Sequence, residues 1–76
     1  MKIEILGTGC PKCNQLFENA KQAVSETNLE VEVLKVHDIN EITNFGVMVT
    51  PALAINGEVK STGKLLSPEE IKQLLT

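Results

Sequence analysis

The sequence predicts an α/β domain in which a four-stranded mixed sheet is flanked by three helices. Three observations lead to this fold class. Apolar residues alternate over Lys2–Leu6 and then recur at helical spacing from about residue 11 onward. A strand, a long helix and a second strand in succession imply a right-handed parallel crossover. The dipeptide Asn56-Gly57 lies between two short segments, 52–55 and 58–61, and predicts a hairpin, which adds an antiparallel pair.

The first strand and the first helix carry clear periodic patterns. Residues Lys2–Leu6 alternate, so that Ile3 and Ile5 share one face of a strand. The Gly-Thr-Gly stretch at 7–9 ends this strand, and Pro11 suits the first turn of a helix, where its missing N–H costs nothing. We expect this helix to run from about Pro11 to Glu26. Its apolar face consists of Leu16, Phe17, Ala20, Ala23 and Val24.

The middle of the chain predicts a second strand and a short second helix. Asn28 marks a turn, and residues Leu29–Val36 are typical of a strand. Asp38, with Glu41 three positions later, resembles the start of a capped helix that ends near Gly46. Ile39 and Ile42 lie on one side of this helix.

The last third of the chain predicts the hairpin and a final helix. The hairpin strands are Ala52–Ile55 and Glu58–Ser61. The run Ser67-Pro68-Glu69-Glu70 supplies a helix cap, a first-turn proline and a reciprocal glutamate. The buried face of this helix is predicted to consist of Ile71, Leu74 and Leu75.

Length and composition exclude several classes of protein. The 76 residues predict a single domain over 1–76 with no room for a separate cofactor domain, and we expect a monomer without a cofactor. Seven lysines are outnumbered by ten acidic residues, so there is no basic stripe for nucleic acid. No apolar run is long enough to span a membrane, and the N-terminus does not resemble a secretory signal. The sequence therefore predicts a cytoplasmic protein.

The two cysteines carry most of the chemical information. Cys10 and Cys13 are three positions apart, a spacing that two randomly placed cysteines would show in roughly 3% of cases. A structural disulfide is a weak explanation in a cytoplasmic chain, where such bonds are reduced. Two interpretations are left, namely a redox-active dithiol or half of a site for a soft metal ion.

The position of the pair at the start of the first helix favours thiol chemistry. Cys10 falls at the predicted N-cap, where free N–H groups and the helix dipole favour a thiolate. Lys12 adds a nearby cation, and Pro11 stiffens the turn. Cys13 lies one turn into the helix on the side that faces the rest of the fold. We therefore expect Cys13 to be the less exposed partner, which resolves a mixed disulfide formed at Cys10.

Three features, in this order along the chain, resemble the thioredoxin superfamily. The first is Gly-Cys-Pro-Lys-Cys at 9–13 between a strand and a helix, the second is Val49-Thr50-Pro51 before a strand, and the third is the Asn-Gly hairpin followed by a last helix. The resemblance covers nearly the whole chain and is strongest to the small, glutaredoxin-sized thioredoxin-like proteins of archaea and bacteria, in which a disulfide is redox-active. It implies a sheet order of second, first, third and fourth strand.

The resemblance also implies roles for individual residues. Cys10 would be the attacking cysteine, Cys13 the resolving one, and Pro51, preceded by Thr50, the cis-proline beside them. Glu4 lies six residues before Cys10, where thioredoxins carry a buried acid that manages the proton of the second cysteine. The competing interpretation of Glu4 is an ordinary strand charge on a wet face of the sheet.

The same resemblance predicts the partners. The substrates would be protein disulfides, and the electron donor a protein or flavoenzyme reductase. Glutathione is not expected, because the Gly-Gly and acidic residues with which glutaredoxins bind it have no clear match here. Met48 and Val49, which flank the Thr-Pro pair, are interpreted either as an apolar docking rim or as ordinary core residues.

The alternative is a metal-binding module. Small chaperones for soft metals also place Cys-x-x-Cys between a first strand and a first helix. Two thiolates suffice for Cu(I), whereas Zn²⁺ needs four ligands and only His37 is a candidate for a third. We expect His37 to be a solvated loop residue instead. Those chaperones end on a strand and lack a proline like Pro51, so the sequence favours redox chemistry.

Overall fold

The computed structural model describes residues 1–9 and 11–75. Its strands are β1 (Lys2–Leu6), β2 (Glu32–Val36), β3 (Ala52–Ile55) and β4 (Glu58–Thr62). Its helices are α1 (Pro11–Thr27), α2 (Ile39–Asn44) and α3 (Pro68–Leu75). Among the described residues, no helix is long and apolar enough to cross a membrane.

The four strands form one mixed sheet in the order β2-β1-β3-β4, which confirms the predicted topology. The β1–β2 pair is parallel, as a right-handed crossover through α1 requires, and β3 is antiparallel to both β1 and β4. The two turn residues of the hairpin, Asn56 and Gly57, have φ angles of 53° and 86°, which is the conformation that an Asn-Gly turn favours. The Asn56 side chain also accepts a hydrogen bond from the backbone N–H of Lys2 at 2.9 Å, so the hairpin is tied to β1.

The two faces of the sheet have separate apolar clusters because side chains alternate along each strand. Ile3 and Ile5 of β1 point to the face covered by α1 and α3, and Leu6 points to the face covered by α2. The α1 helix contributes Leu16, Ala20 and Ala23, all fully buried. These positions repeat at the helical period, as predicted.

Polar contacts join α3 to α1 at the edge of the larger cluster. The Lys72 ammonium lies 3.0 Å from a Glu26 carboxylate oxygen, and the Asn19 side chain donates to the Leu66 carbonyl at 2.9 Å. Hydrogen bonds to Glu26 from Lys72 and then Gln22 lower the pKa of that carboxyl. The ion pair is at the surface and adds little stability, whereas the Asn19–Leu66 hydrogen bond is partly buried.

Two details differ from the sequence predictions. The strand β2 begins at Glu32 instead of Leu29, because its register with β1 begins where Lys2 meets Glu32. Leu74 is 37% exposed, since α3 meets the core through Ile71 and Leu75, which are four residues apart on one side of the helix.

Candidate active site

The site predicted from the cysteines lies where the loop after β1 meets the first turn of α1. Cys10 itself, the predicted N-cap and attacking cysteine, lies outside the described residues. Pro11 and Lys12 begin α1 and are both exposed, whereas Cys13 is buried with 4% of its surface exposed. The structure therefore places Cys13 behind an exposed first turn.

Gly7 makes the burial of Cys13 possible. Gly7 is itself buried, and a β-carbon at this position would overlap the Cys13 sulfur and lie 3.0 Å from the Cys13 Cβ. The same point is 3.9 Å from the Thr50 Cβ. The backbone of Gly7 is held in place by its N–H, which donates to the Val36 carbonyl at 2.9 Å. Gly7, Cys13 and Thr50 thus meet at one place.

A second loop brings Thr50 and Pro51 to this place. The peptide bond between them is cis; Thr50 is exposed and Pro51 is fully buried. The Pro51 carbonyl accepts a hydrogen bond from the Gly63 N–H at 2.8 Å. A β-carbon on Gly63 would lie 2.8 Å from a methyl group of the exposed Val49, which would have to turn away, and the φ of 69° at Gly63 favours glycine.

The side chains next to this loop are apolar and exposed. Met48 is 94% exposed and Val49 57% exposed. The interpretation of these two residues as core filling is therefore wrong, because the loop carries them outward while Pro51 and Ala52 point inward. An exposed apolar pair in the loop that carries Thr50 and Pro51 suits contact with another protein.

Glu4 lies in the middle of β1 but on the opposite face from Ile3 and Ile5. Its side chain is 13% exposed and its carboxylate is 3.9 Å from the Lys2 ammonium. Its neighbours across the sheet are Leu34 and Ala54. Glu4 is therefore a partly buried carboxylate and not a fully solvated one, and its proposed part in proton transfer stays a prediction.

His37 follows β2 and is exposed, as expected for a loop residue. Among residues 1–9 and 11–75, no three His, Cys, Asp or Glu side chains are grouped closely enough to hold a metal ion.

The structural roles of Gly7 and Gly63 are not evident from the sequence, in which Gly7 is only part of a strand break. A glycine directly after a strand and before Cys-x-x-Cys is a signal of close backbone approach, but its partner, Cys13, is known only from the structure.

The mixed sheet in the order 2-1-3-4 with three helices is a thioredoxin-like α/β fold. The thioredoxin domain family matches residues 1–76. A thioredoxin of Methanocaldococcus jannaschii is 51% identical over 73 residues, which is 96% of this chain and 84% of that protein. A thioredoxin of Methanothermobacter thermautotrophicus is 42% identical over 76 residues, covering 100% of this chain and 99% of the relative. A probable thioredoxin of Methanothermobacter marburgensis is 33% identical over 67 residues, covering 83% and 79%.

The chain belongs to the thioredoxin domain family. This membership supports a thioredoxin-like redox role of the disulfide-oxidoreductase type.

Proposed function

We propose that this protein reduces protein disulfides through a dithiol formed by Cys10 and Cys13, in a single thioredoxin-like domain that spans residues 1–76. The observation that carries the proposal is the burial of Cys13 against Gly7, three residues after Cys10 in the sequence. A folded substrate does not reach a thiol that is 4% exposed, so the attack on the substrate falls to Cys10 and the second step to Cys13.

The reaction follows the balance of thiol–disulfide exchange. The Cys10 thiolate attacks one sulfur of the substrate disulfide, and the other sulfur leaves as a thiolate that takes a proton from solvent. The Cys13 thiol then loses its proton and attacks the Cys10 sulfur, which breaks the mixed disulfide and releases the second substrate thiol. Two electrons have passed to the substrate, and Cys10 and Cys13 are left as a disulfide. A protein or flavoenzyme reductase restores the dithiol.

Several described residues support this sequence of steps. Pro11 and Lys12 form the exposed turn between the two cysteines. Pro11 stiffens this turn, and Lys12 adds a cation near the start of the helix, which favours a thiolate. Thr50, which precedes Pro51, lies next to Gly7, the residue that packs on the buried thiol. The exposed pair Met48 and Val49 in the same loop offers an apolar contact for the substrate protein. A cytoplasmic location would suit a protein that keeps disulfides reduced, because that compartment is reducing. The location stays a prediction from the sequence.

Two serine variants test the assignment of roles. Reduction of insulin by dithiothreitol should be accelerated by the native protein. Cys10→Ser should abolish this acceleration, and Cys13→Ser should accumulate mixed disulfides with substrate, seen by mass spectrometry before and after reduction. If Cys10→Ser retains full activity, the proposed roles are wrong.

The metal-binding alternative has one observation in its favour, which is that Cys13 and His37 line the same cleft. A competition experiment separates it from the redox function. The reduced protein is given one equivalent of Cu(I) in the presence of a strong chelator. Retention of Cu(I) against the chelator, together with failure to reduce insulin, would favour the metal site.

A further inference from the structure

A cleft of about 330 Å³ opens beside Cys13, on the side of the sheet edge formed by β2. Among the described residues, its wall comes from the end of β1, the loop after it, the first turn of α1 and the end of β2. Thr50 and Pro51 are not part of that described wall, so the cleft is distinct from the loop that carries them. Its volume lies at the small end of the range for sites that bind small molecules.

Hydrogen-bond donors converge on this cleft. Lys35 and His37 of the β2 end and Asn14 of α1 line it together with Cys13, and the described lining contains no carboxylate. In a chain with a net charge of −3, this is a local reversal of charge. An ammonium, an amide and an imidazole ring are all groups that donate to a carboxylate.

The Lys35 ammonium has contacts on two sides. It lies 4.6 Å from the centre of the Phe17 ring and 3.3 Å from the side-chain oxygen of Asn14. The Asn14 nitrogen is in turn 3.5 Å from the Gly9 carbonyl, and Gly9 directly precedes Cys10 in the chain. Asn14 therefore links the positive charge of Lys35 to Gly9, the residue next to the proposed nucleophile.

We propose that this cleft binds the carboxylate of a small disulfide compound, and that the protein therefore reduces small anionic disulfides in preference to neutral or cationic ones of the same size. The inference rests on the proposed function, since the bond broken is the disulfide of the compound. Cys10 attacks it, Cys13 resolves the mixed disulfide, and the compound leaves as two thiols while the dithiol becomes a disulfide. Lys35 positions the substrate and does not take part in the electron transfer.

Three disulfides of similar size and different charge test this preference. They are 3,3′-dithiodipropionate, bis(2-hydroxyethyl) disulfide and cystamine, which are anionic, neutral and cationic at neutral pH. The rate at which each oxidises the reduced protein is divided by its rate with dithiothreitol, which removes the intrinsic reactivity of the compound. We expect the anionic disulfide to react about fivefold faster than the neutral one at low salt, as one exposed ion pair allows, and this ratio to fall at 0.5 M NaCl.

Two variants of Lys35 and one matched control locate the effect. Lys35→Met should reduce the anionic preference to less than about twofold, and Lys35→Glu should favour cystamine instead. The control is Lys21→Met, because the Lys21 ammonium also lies over the Phe17 ring, at 4.8 Å, but does not line the described cleft. Lys21→Met changes the net charge by the same amount and should keep the preference of the native protein.

The outcomes separate this inference from the proposed function. If the neutral disulfide is reduced but the anionic one has no advantage, or if Lys21→Met removes the advantage as much as Lys35→Met, the cleft assignment is overturned and the reductase function stands. If none of the three disulfides oxidises the protein while insulin is still reduced, the small-molecule proposal is overturned and the reductase function stands. If insulin is not reduced either, the proposed function is overturned as well. A pair of cystine peptides flanked by Asp or by Asn gives the last check, because discrimination among the peptides alone would assign the cleft to protein substrates and overturn the small-molecule proposal.

Discussion

The contact between Gly7 and Cys13 leads to a quantitative prediction for Gly7→Ala. The added methyl carbon would overlap the Cys13 sulfur and lie 3.0 Å from the Cys13 Cβ, whereas carbon atoms pack at about 3.5–4.0 Å. Both residues are buried, so neither moves aside without shifting the loop or α1. The φ angle of Gly7 lies outside the left-handed region, and steric overlap is therefore the only cost of the substitution.

The expected size follows from two opposing effects. Overpacking a buried site costs about 1–3 kcal/mol, and replacing glycine with alanine recovers about 0.4–1 kcal/mol by restricting the unfolded chain. The net loss in the free energy of unfolding should be about 1–2 kcal/mol. At a denaturant dependence of about 1 kcal/mol/M in urea, the midpoint of unfolding should fall by about 1–2 M.

A double-mutant cycle isolates the contact. In a Cys13→Ala background the sulfur is gone and only the close contact with the Cβ of residue 13 is left, so Gly7→Ala should cost at least about 0.5 kcal/mol less than it does in the native background. Urea unfolding is followed by far-UV circular dichroism, because the chain has no Trp or Tyr for fluorescence. Gly57→Ala is the control, since its φ of 86° makes alanine unfavourable but no heavy atom lies within 4 Å of the added carbon.

The result that would refute the reasoning is an equal cost of Gly7→Ala in both backgrounds. The burial of Cys13 would then not depend on the absence of a side chain at position 7. Gly57→Ala should cost the same in both backgrounds, and a difference there would show that Cys13→Ala perturbs the whole fold.

Two further predictions concern carboxyl groups. Glu4→Gln should slow the resolution of a mixed disulfide at Cys10, because a partly buried carboxylate is lost, and release rates that equal those of the native protein from about pH 6 to 9 would remove Glu4 from the mechanism. The pKa of Glu70 is lowered first by the hydrogen bond from the Ser67 backbone N–H and then by the one involving the Ser67 hydroxyl. The stability that this carboxylate adds is therefore fully present above its unfolded pKa of about 4.3. This stability is lost as the pH falls through the lower pKa of the folded state. Glu70→Gln should therefore lose less stability than the native protein when urea unfolding is compared at about pH 6 and pH 3, and an identical loss in both would contradict this assignment.

Most element boundaries were predictable because they depend on local chemistry. Pro11 and Pro68 each begin a helix, and the Asn56-Gly57 turn joins two strands, as their backbone preferences dictate. The start of β2 was not predictable, since residues before Glu32 have strand propensity but no paired residue in β1. Propensity describes one segment, whereas pairing needs a partner.

Only part of the candidate site was predictable from the sequence. The burial of Cys13 follows from its place one turn into a helix whose inner face is apolar. The direction of Met48 and Val49 does not follow from their apolar character, because the loop before β3 decides which side chains turn outward. The cleft at Lys35 could not be anticipated either, since its walls come from segments that are distant in the sequence.

The sequence by itself determined the order of strands and helices along the chain and the burial of Cys13 one turn into the first helix. Periodicity, capping residues and turn residues act over a few positions, and they are read directly along the chain. Only the tertiary structure decided which backbone meets Cys13, which apolar residues face solvent, and that Lys35, Asn14 and Gly9 come together. These features depend on contacts between segments that approach each other only after the sheet has formed.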